Sequence, residues 1–324
     1  ITADPAGGKR KTTVKHIFII NPRAGRKNGA AHLMDQIEAL RRVHNLTCET
    51  VLTGRQGHAE EVARRAAESG EAVRLYACGG DGTLNEVLNG AAGADRAEIT
   101  VVPTGTGNDF LKNYGEDVVR FEDLEQLWNG PGHDLDLIEC GGRLAATIAC
   151  VGLDARVADD VHRFSKVLPV SGKMAYLASA GANFCKSTGQ RMMITCGAQA
   201  TIGEYAMVCV CNGRYYGGGF MPVADARMDD GRLDTLIVRR VSRAKFLRLA
   251  PAYARGEAWR FPDAVRRVQT NPVRIQSREP LALSLDGEIQ YKTDVQMTLS
   301  AKKLHFFAPV GASCNRTARR RLDK

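Results

Sequence analysis

No apolar stretch in this chain approaches the roughly 18 residues that a membrane-spanning helix needs, which excludes a helical span. Residues 1–11 are polar and lack the apolar core of a secretory signal, so a cytoplasmic location is expected. No Cys-x-x-Cys pair occurs among the 9 cysteines. Without that spacing a zinc–thiolate site is not expected. The cysteine count is odd, and Cys78, Cys150, Cys209 and Cys211 stand in apolar contexts. Buried free thiols account for them better than disulfides. Internal repeats are missing as well.

What is present is the composition of a soluble globular protein, 44% apolar and 25% charged. At 324 residues the chain can hold two domains with sizeable cores. Its net charge of +9 favours an anionic partner: nucleotide, anionic lipid surface or nucleic acid. Part of the excess lies near the ends, in Lys9-Arg10-Lys11 and in Arg316, Arg319, Arg320 and Arg321. Between these clusters no DNA- or RNA-reading module is recognisable, and no nucleic-acid partner is expected. Residues 1–12 and 313–324 read as solvated basic tails, with weak membrane-surface attraction as the second reading.

His16-Ile17-Phe18-Ile19-Ile20 is a continuous apolar run, as in a strand buried on both faces. Leu33, Ile37 and Leu40 then recur at helical spacing. Residues 46–52 read as a strand, 57–69 as a helix, 73–78 as a strand, 83–91 as a helix and 99–102 as a strand. In the third helix Thr83 and Glu86 are spaced as a capping box. This alternation predicts right-handed βαβ units and a doubly wound parallel sheet. Beyond about residue 135 the pattern turns β-branched and turn-punctuated, over 144–151, 191–196, 205–211, 233–238, 273–276, 281–285 and 295–299. Helical interruptions fall near 156–163, 172–185 and 242–256. A second, mostly antiparallel β domain is expected, a sandwich or flattened barrel.

Three of the first strands end in loops rich in small and polar residues: Asn21-Pro22-Arg23-Ala24-Gly25, Gly79-Gly80-Asp81-Gly82-Thr83, and 103–110. Glycines let a backbone approach a ligand closely, and a helix start aims N–H groups at a phosphate. A carboxylate such as Asp81 is repelled by phosphates unless a metal or a reacting group lies between them, which points to Mg-nucleotide chemistry. An ordinary Asp-Gly turn is the alternative. Ligands on open parallel sheets bind outside the carboxyl ends of the strands, so three such loops at one edge carry more weight than one.

Together these loops resemble the diacylglycerol-kinase catalytic family, in particular its soluble bacterial lipid kinases. The chain shows that family's Asn-Pro-x-(Ser/Ala)-Gly at 21–25, Gly-Gly-Asp-Gly-Thr at 79–83 and Pro-x-Gly-Thr-x-Asn-Asp-Phe at 103–110. Asp229-Asp230-Gly231, after Gly217-Gly218-Gly219, and Leu285-Asp286-Gly287-Glu288 complete the set in order. The resemblance spans residues 14 to 309. It implies a nucleotide-binding domain over 13–138 with a return strand at 303–309, and a β-rich lipid-acceptor domain over 139–302. It further implies ATP contacts from Asn21, Pro22, Arg23, Ala24, Gly25, Thr53, Gly79, Gly80, Asp81, Gly82, Thr83, Leu84, Asn85 and Thr106. For Thr53 a plain strand-end role, and for Arg23 a plain surface role, stay open.

The resemblance assigns the proton-accepting role in phosphoryl transfer to Glu288, with Asp286 close behind and Asp81 beside the phosphates. Asp286-Gly287 is also an ordinary hairpin turn. Magnesium is implied twice, as a water-linked network on Asp81, Asp109 and Asp136 and as a structural ion at Asp230 with the carbonyls of Arg227 and Arg232. From residues alone, 228–231 is a surface turn. Phe164, Leu168, Met174, Tyr176, Phe184 and 215–220 could line an acceptor pocket, with core packing the plainer reading.

The implied activity is ATP- and Mg²⁺-dependent phosphorylation of a lipid hydroxyl at a membrane surface, with diacylglycerol as the default acceptor. Phosphatidylglycerol, a sphingoid base or a polyprenol are the alternatives, as is a catalytically silent regulator that binds lipid or nucleotide. The protein would meet the inner face of the membrane peripherally, and a homodimer is left open.

Overall fold

The structure, a computed structural model, describes residues 14–25, 29–105, 107–157, 159 and 189–314. The first sheet contains β1 (Lys15–Ile20), β2 (Cys48–Leu52), β3 (Val73–Gly79), β4 (Ala97–Pro103), β5 (Gly132–Leu135) and β15 (Leu304–Phe307). Their order is β2-β1-β3-β4-β15-β5. All neighbours are parallel except the edge pair β15 and β5. Helices α1 (Gly29–His44), α2 (His58–Glu68) and α3 (Asp81–Ala91) make the crossovers. Each buries one face, through Leu33, Ile37 and Leu40 on α1 and Ala59, Val62, Ala63 and Ala66 on α2.

Aromatic rings lock the return strand into this sheet. Phe18 and Tyr76 stack with centroids 4.0 Å apart, and Phe307 meets Tyr76 edge-on at 5.1 Å. Phe306 packs against Phe110 at 5.0 Å. Truncating a fully buried phenylalanine such as Phe306 costs about 3–5 kcal/mol, so the chain's last strand is energetically part of its first sheet. His16 is buried beside Tyr76, with Nδ1 2.8 Å from the hydroxyl. Burial, helped by the Arg74 charge, depresses its pKa to about 4.

The second sheet is antiparallel and nine-stranded. It holds β6 (Ile138–Cys140), β7 (Arg143–Ala145), β8 (Ile148–Gly152), β9 (Gln190–Cys196), β10 (Gln199–Cys211), β11 (Asp234–Arg239), β12 (Val265–Gln269), β13 (Val273–Leu285) and β14 (Glu288–Leu299). Strands β8 and β9 both bridge β10 to β13, one at each end. Register breaks at Tyr205/Met207 and Gln276/Leu281 bend the two long strands, folding the sheet into a sandwich. Side chains alternate accordingly: Val208 and Val210 enter one core, Met207, Cys209 and Cys211 the other. A helix, Arg243–Ala254, covers the latter face with Leu249 and Tyr253.

The strands expected at 273–276 and 281–285 are halves of one bulged strand, β13. Strand β12, Val265-Arg266-Arg267-Val268-Gln269, escapes a hydrophobicity reading because it is an edge strand with both arginines exposed. The helices expected near 156–163 and 172–185 lie mostly outside the described residues. So do Phe164, Leu168, Met174, Tyr176 and Phe184.

Candidate active site

The loops leaving β1, β3 and β4 close on one another main chain to main chain. Gly25 has φ +76°, and a Cβ there would sit 1.9 Å from the Thr104 carbonyl oxygen. On Gly105 it would sit 2.8 Å from both Cα and the amide nitrogen of Gly80. Glycine is what permits this approach. The Thr104 and Gly105 N–H groups donate to the Gly79 carbonyl at 3.2 and 3.1 Å, and Asp81 N–H to the Gly107 carbonyl at 3.0 Å. Asn21 Nδ2 adds a long bond to Thr83 Oγ1, 3.4 Å.

The result is one wall of a cleft of about 540 Å³. Asn21, Arg23, Ala24, Gly25, Thr53, Gly80, Asp81, Gly82 and Thr83 line it, as expected from the motifs. Gly54, Arg55, Gln56 and Ala59, unmarked by any motif, line it too. The opposite wall is Asp286-Gly287-Glu288 from the second sheet. Pro22 is exposed in its loop and Gly79 is buried beneath its turn. Thr106 lies outside the described residues.

Leu84 and Asn85, expected as nucleotide contacts, are not among the residues that line the cleft. Asp81, Gly82, Thr83 and Glu86 of α3 face the cleft, while the side chains of Leu84 and Asn85 turn elsewhere. Leu84 is core. Asn85 donates to the Leu144 carbonyl at 3.4 Å, and Asn89, one turn on, brackets the same residue with bonds of 2.9 and 3.0 Å. The asparagine pair clasps α3 to β7, and its i, i+4 spacing was the available signal.

The capping box is also corrected. Helix α3 starts at Asp81 with Gly80 as N-cap, so Thr83 is already inside it. Glu86 reaches across to α2, where its carboxylate accepts the N–H groups of Gly57 at 2.8 Å and Ala59 at 3.1 Å. It caps a neighbouring helix from the cleft wall, a role no local pattern announces.

The acids divide by their partners. Asp81 accepts the N–H groups of Asp109 at 2.9 Å and Phe110 at 3.2 Å. Burial outweighs those bonds and, with the Asp109 and Asp286 charges adding, pushes its carboxyl up to about 6. Asp109 binds Lys112 and accepts Gly218 N–H at 2.6 Å, tying the third loop to the second sheet. Asp136 is fully buried at the crossover, paired with Lys303 and accepting Gly231 N–H at 2.7 Å. Asp109 and Asp136 are both absent from the cleft lining, which includes Asp81. Asp230 sits with Arg227 and Arg232 in a surface turn outside the cleft, accepting Arg232 N–H at 3.1 Å. Burial, with the Asp136 and Asp234 charges adding, raises its carboxyl.

Asp286 and Glu288 are set apart by the hairpin that carries them. Leu285 pairs with Glu288, leaving Asp286 and Gly287 as a two-residue turn with φ +47° and +98°, the pattern of a type I′ turn. Asp286 Oδ1 accepts the N–H groups of Thr147 at 3.1 Å and Ile148 at 2.9 Å, and Oδ2 accepts that of Ala146 at 2.5 Å. Burial pushes its carboxyl up while these donors pull it down. The carboxylate that ranked second for proton acceptance is thus spent on fixing the hairpin to the start of β8. Glu288, by contrast, finds no hydrogen-bond donor among the described residues and stands on the cleft wall.

A family model described as the diacylglycerol kinase catalytic domain matches residues 15–140. A second, described as the YegS C-terminal NAD kinase beta sandwich-like domain, matches residues 147–308. The chain is similar to a diacylglycerol kinase of Bacillus subtilis (strain 168), 30% identical over 275 residues that cover 84% of this chain and 88% of that one. In fold it resembles a crystal structure of a diacylglycerol kinase from Bacillus anthracis str. Sterne, with TM-score 0.65 and 19% identity over 94% of this chain and 98% of that one.

Proposed function

The chain belongs to the diacylglycerol kinase catalytic family, and from that premise we propose that it transfers the γ-phosphoryl group of ATP to a lipid hydroxyl, with diacylglycerol as acceptor and phosphatidic acid as product. The observation that carries this reading is Glu288, a carboxylate without a described partner facing the glycine loops across the cleft. The loops offer backbone N–H groups and the start of α3 to phosphate oxygens. Arg23, in the first loop, has no carboxylate partner among the described residues and can add positive charge there. Glu288 takes the proton of the lipid hydroxyl as that oxygen bonds to the γ-phosphorus and the bond to the β-phosphate oxygen breaks, releasing ADP.

A divalent cation fits the donor chemistry. Asp81, Glu86, Asp286 and Glu288 line the cleft with carboxylates, and the Asp81 carboxyl is raised by burial first and by the Asp109 and Asp286 charges after it. Mg²⁺ bound beside Asp81, through water, would neutralise charge on the phosphates. A structural ion would be held by Asp230 with the carbonyls of Arg227 and Arg232, where burial and then the Asp136 and Asp234 charges raise the Asp230 carboxyl.

The test is incubation with γ-labelled ATP, Mg²⁺ and a panel of lipid alcohols. Labelled phosphatidic acid is expected, and Glu288→Gln is expected to lower turnover at least about 100-fold, the usual size of a general-base contribution. Label entering a soluble acceptor and no lipid would overturn the reading.

A further inference from the structure

We propose that the exposed face of the Arg243–Ala254 helix and the turn that follows it form the surface by which this protein docks on an anionic lipid bilayer. The proposal rests on the lipid-kinase reading and says which face meets the lipid. Trp259 is 74% exposed, more than any other large apolar side chain among the described residues, and Leu247 is 62% exposed. On the helix, Leu249, Ala252 and Tyr253 point inward. Ala244, Leu247 and Pro251 line the outward face, with Arg243, Arg248 and Arg255 exposed beside them. That is an apolar ridge with a cationic border.

Trp259 belongs to the same patch. Arg255, on the helix border, and Arg260, next to Trp259, both pair with Glu257, at 3.6 and 2.9 Å. Residues 243–263 hold the cations Arg243, Lys245, Arg248, Arg255 and Arg260 against the carboxylates Glu257 and Asp263 alone. Arg248 has no ion-pair partner among the described residues. Indole rings favour the lipid headgroup level, and arginines beside them match anionic headgroups. A second copy of the chain is the poorer occupant, because a two-fold interface would set this cationic border against itself.

Trp128 and Trp259 are the 2 tryptophans of the chain, so Trp128→Phe leaves Trp259 as sole indole reporter in the otherwise full chain. With vesicles of phosphatidylcholine and phosphatidylglycerol in equal parts, its emission should shift to the blue and brominated lipid should quench it. Pure phosphatidylcholine vesicles or high salt should weaken both effects. Leu247→Asp with Trp259→Asp should lower co-sedimentation with the mixed vesicles at least about tenfold. Phosphorylation of a monomerically dispersed short-chain acceptor should be unchanged in that double variant.

Unshifted Trp259 emission on mixed vesicles would overturn the proposal, as would full vesicle binding by the double variant. Self-association without lipid that the double variant abolishes would overturn it too, making the patch a contact between copies. A kinase assay negative on every lipid, with Trp259 docking intact, would instead sink the function proposed above.

Discussion

Replacing Asp286 by asparagine separates its anchoring role from proton acceptance. Asparagine keeps the shape and is at ease at positive φ, as the type I′ turn requires, so the turn itself should survive. One carboxylate oxygen becomes an NH₂ group. In the better orientation the remaining oxygen keeps Thr147 and Ile148, at 3.1 and 2.9 Å, and the NH₂ faces the Ala146 N–H across 2.5 Å. That removes a hydrogen bond to a charged acceptor, worth about 1.5–3 kcal/mol, and leaves a buried donor unsatisfied at about 1–3 kcal/mol. Relief from burying a charge offsets part of this, since burial already pushes the Asp286 carboxyl up. A net loss of about 2 kcal/mol is expected by urea unfolding. Turnover should fall with KM for ATP unchanged, because the loosened hairpin carries Glu288, and the acidic limb of the kcat–pH profile should persist. A stability change under about 0.5 kcal/mol combined with loss of that limb would refute the reasoning and make Asp286 the proton acceptor.

Glu86→Ala orphans two N–H groups at the start of α2 and should cost about 1–2 kcal/mol; an unchanged calorimetric midpoint would contradict the capping role. Gly105→Ala places a Cβ 2.8 Å from the Gly80 backbone, so nucleotide affinity by fluorescence titration should fall at least about tenfold, with the circular dichroism of the fold retained. Between pH 4 and 6 the contributions of His16 and Asp81 to stability should oppose each other. His16, folded pKa about 4 against 6.5 unfolded, contributes stability that is present above 6.5 and lost as pH falls to 4, about 3 kcal/mol in all. Asp81, folded about 6 against 3.8 unfolded, does the reverse, adding about 3 kcal/mol as pH falls from 6 to 3.8. Relative to the unsubstituted protein, Asp81→Asn should lose stability more steeply as pH falls from 6 to 4, by up to about 1.4 kcal/mol per pH unit; parallel denaturation profiles for the two proteins would refute the assignment.

The first four strands and three helices were legible in the sequence, because a buried parallel sheet demands apolar runs such as 16–20 and its helices demand stripes such as Leu33, Ile37 and Leu40. The glycine loops were legible for the same local reason, since close backbone approach leaves no choice of residue at positions such as 105. Strand β14 was half hidden because its first residues, Glu288 to Asp294, include exposed polar side chains. The family resemblance ranked Glu288 ahead of Asp286, but the hydrogen-bond partners that set the acids apart were not legible. Asp81, Asp109, Asp136, Asp286 and Glu288 are alike as letters, and each reading depended on which N–H groups from distant elements point at it. Asp286 differs from Glu288 because the start of β8, some 140 positions earlier in the chain, ends its N–H groups on one carboxylate and leaves the other bare. The local pattern sets where a chain can cradle a phosphate. Which carboxylate remains free to act is a property of long-range contacts, and those exist only once the two sheets are folded and face each other.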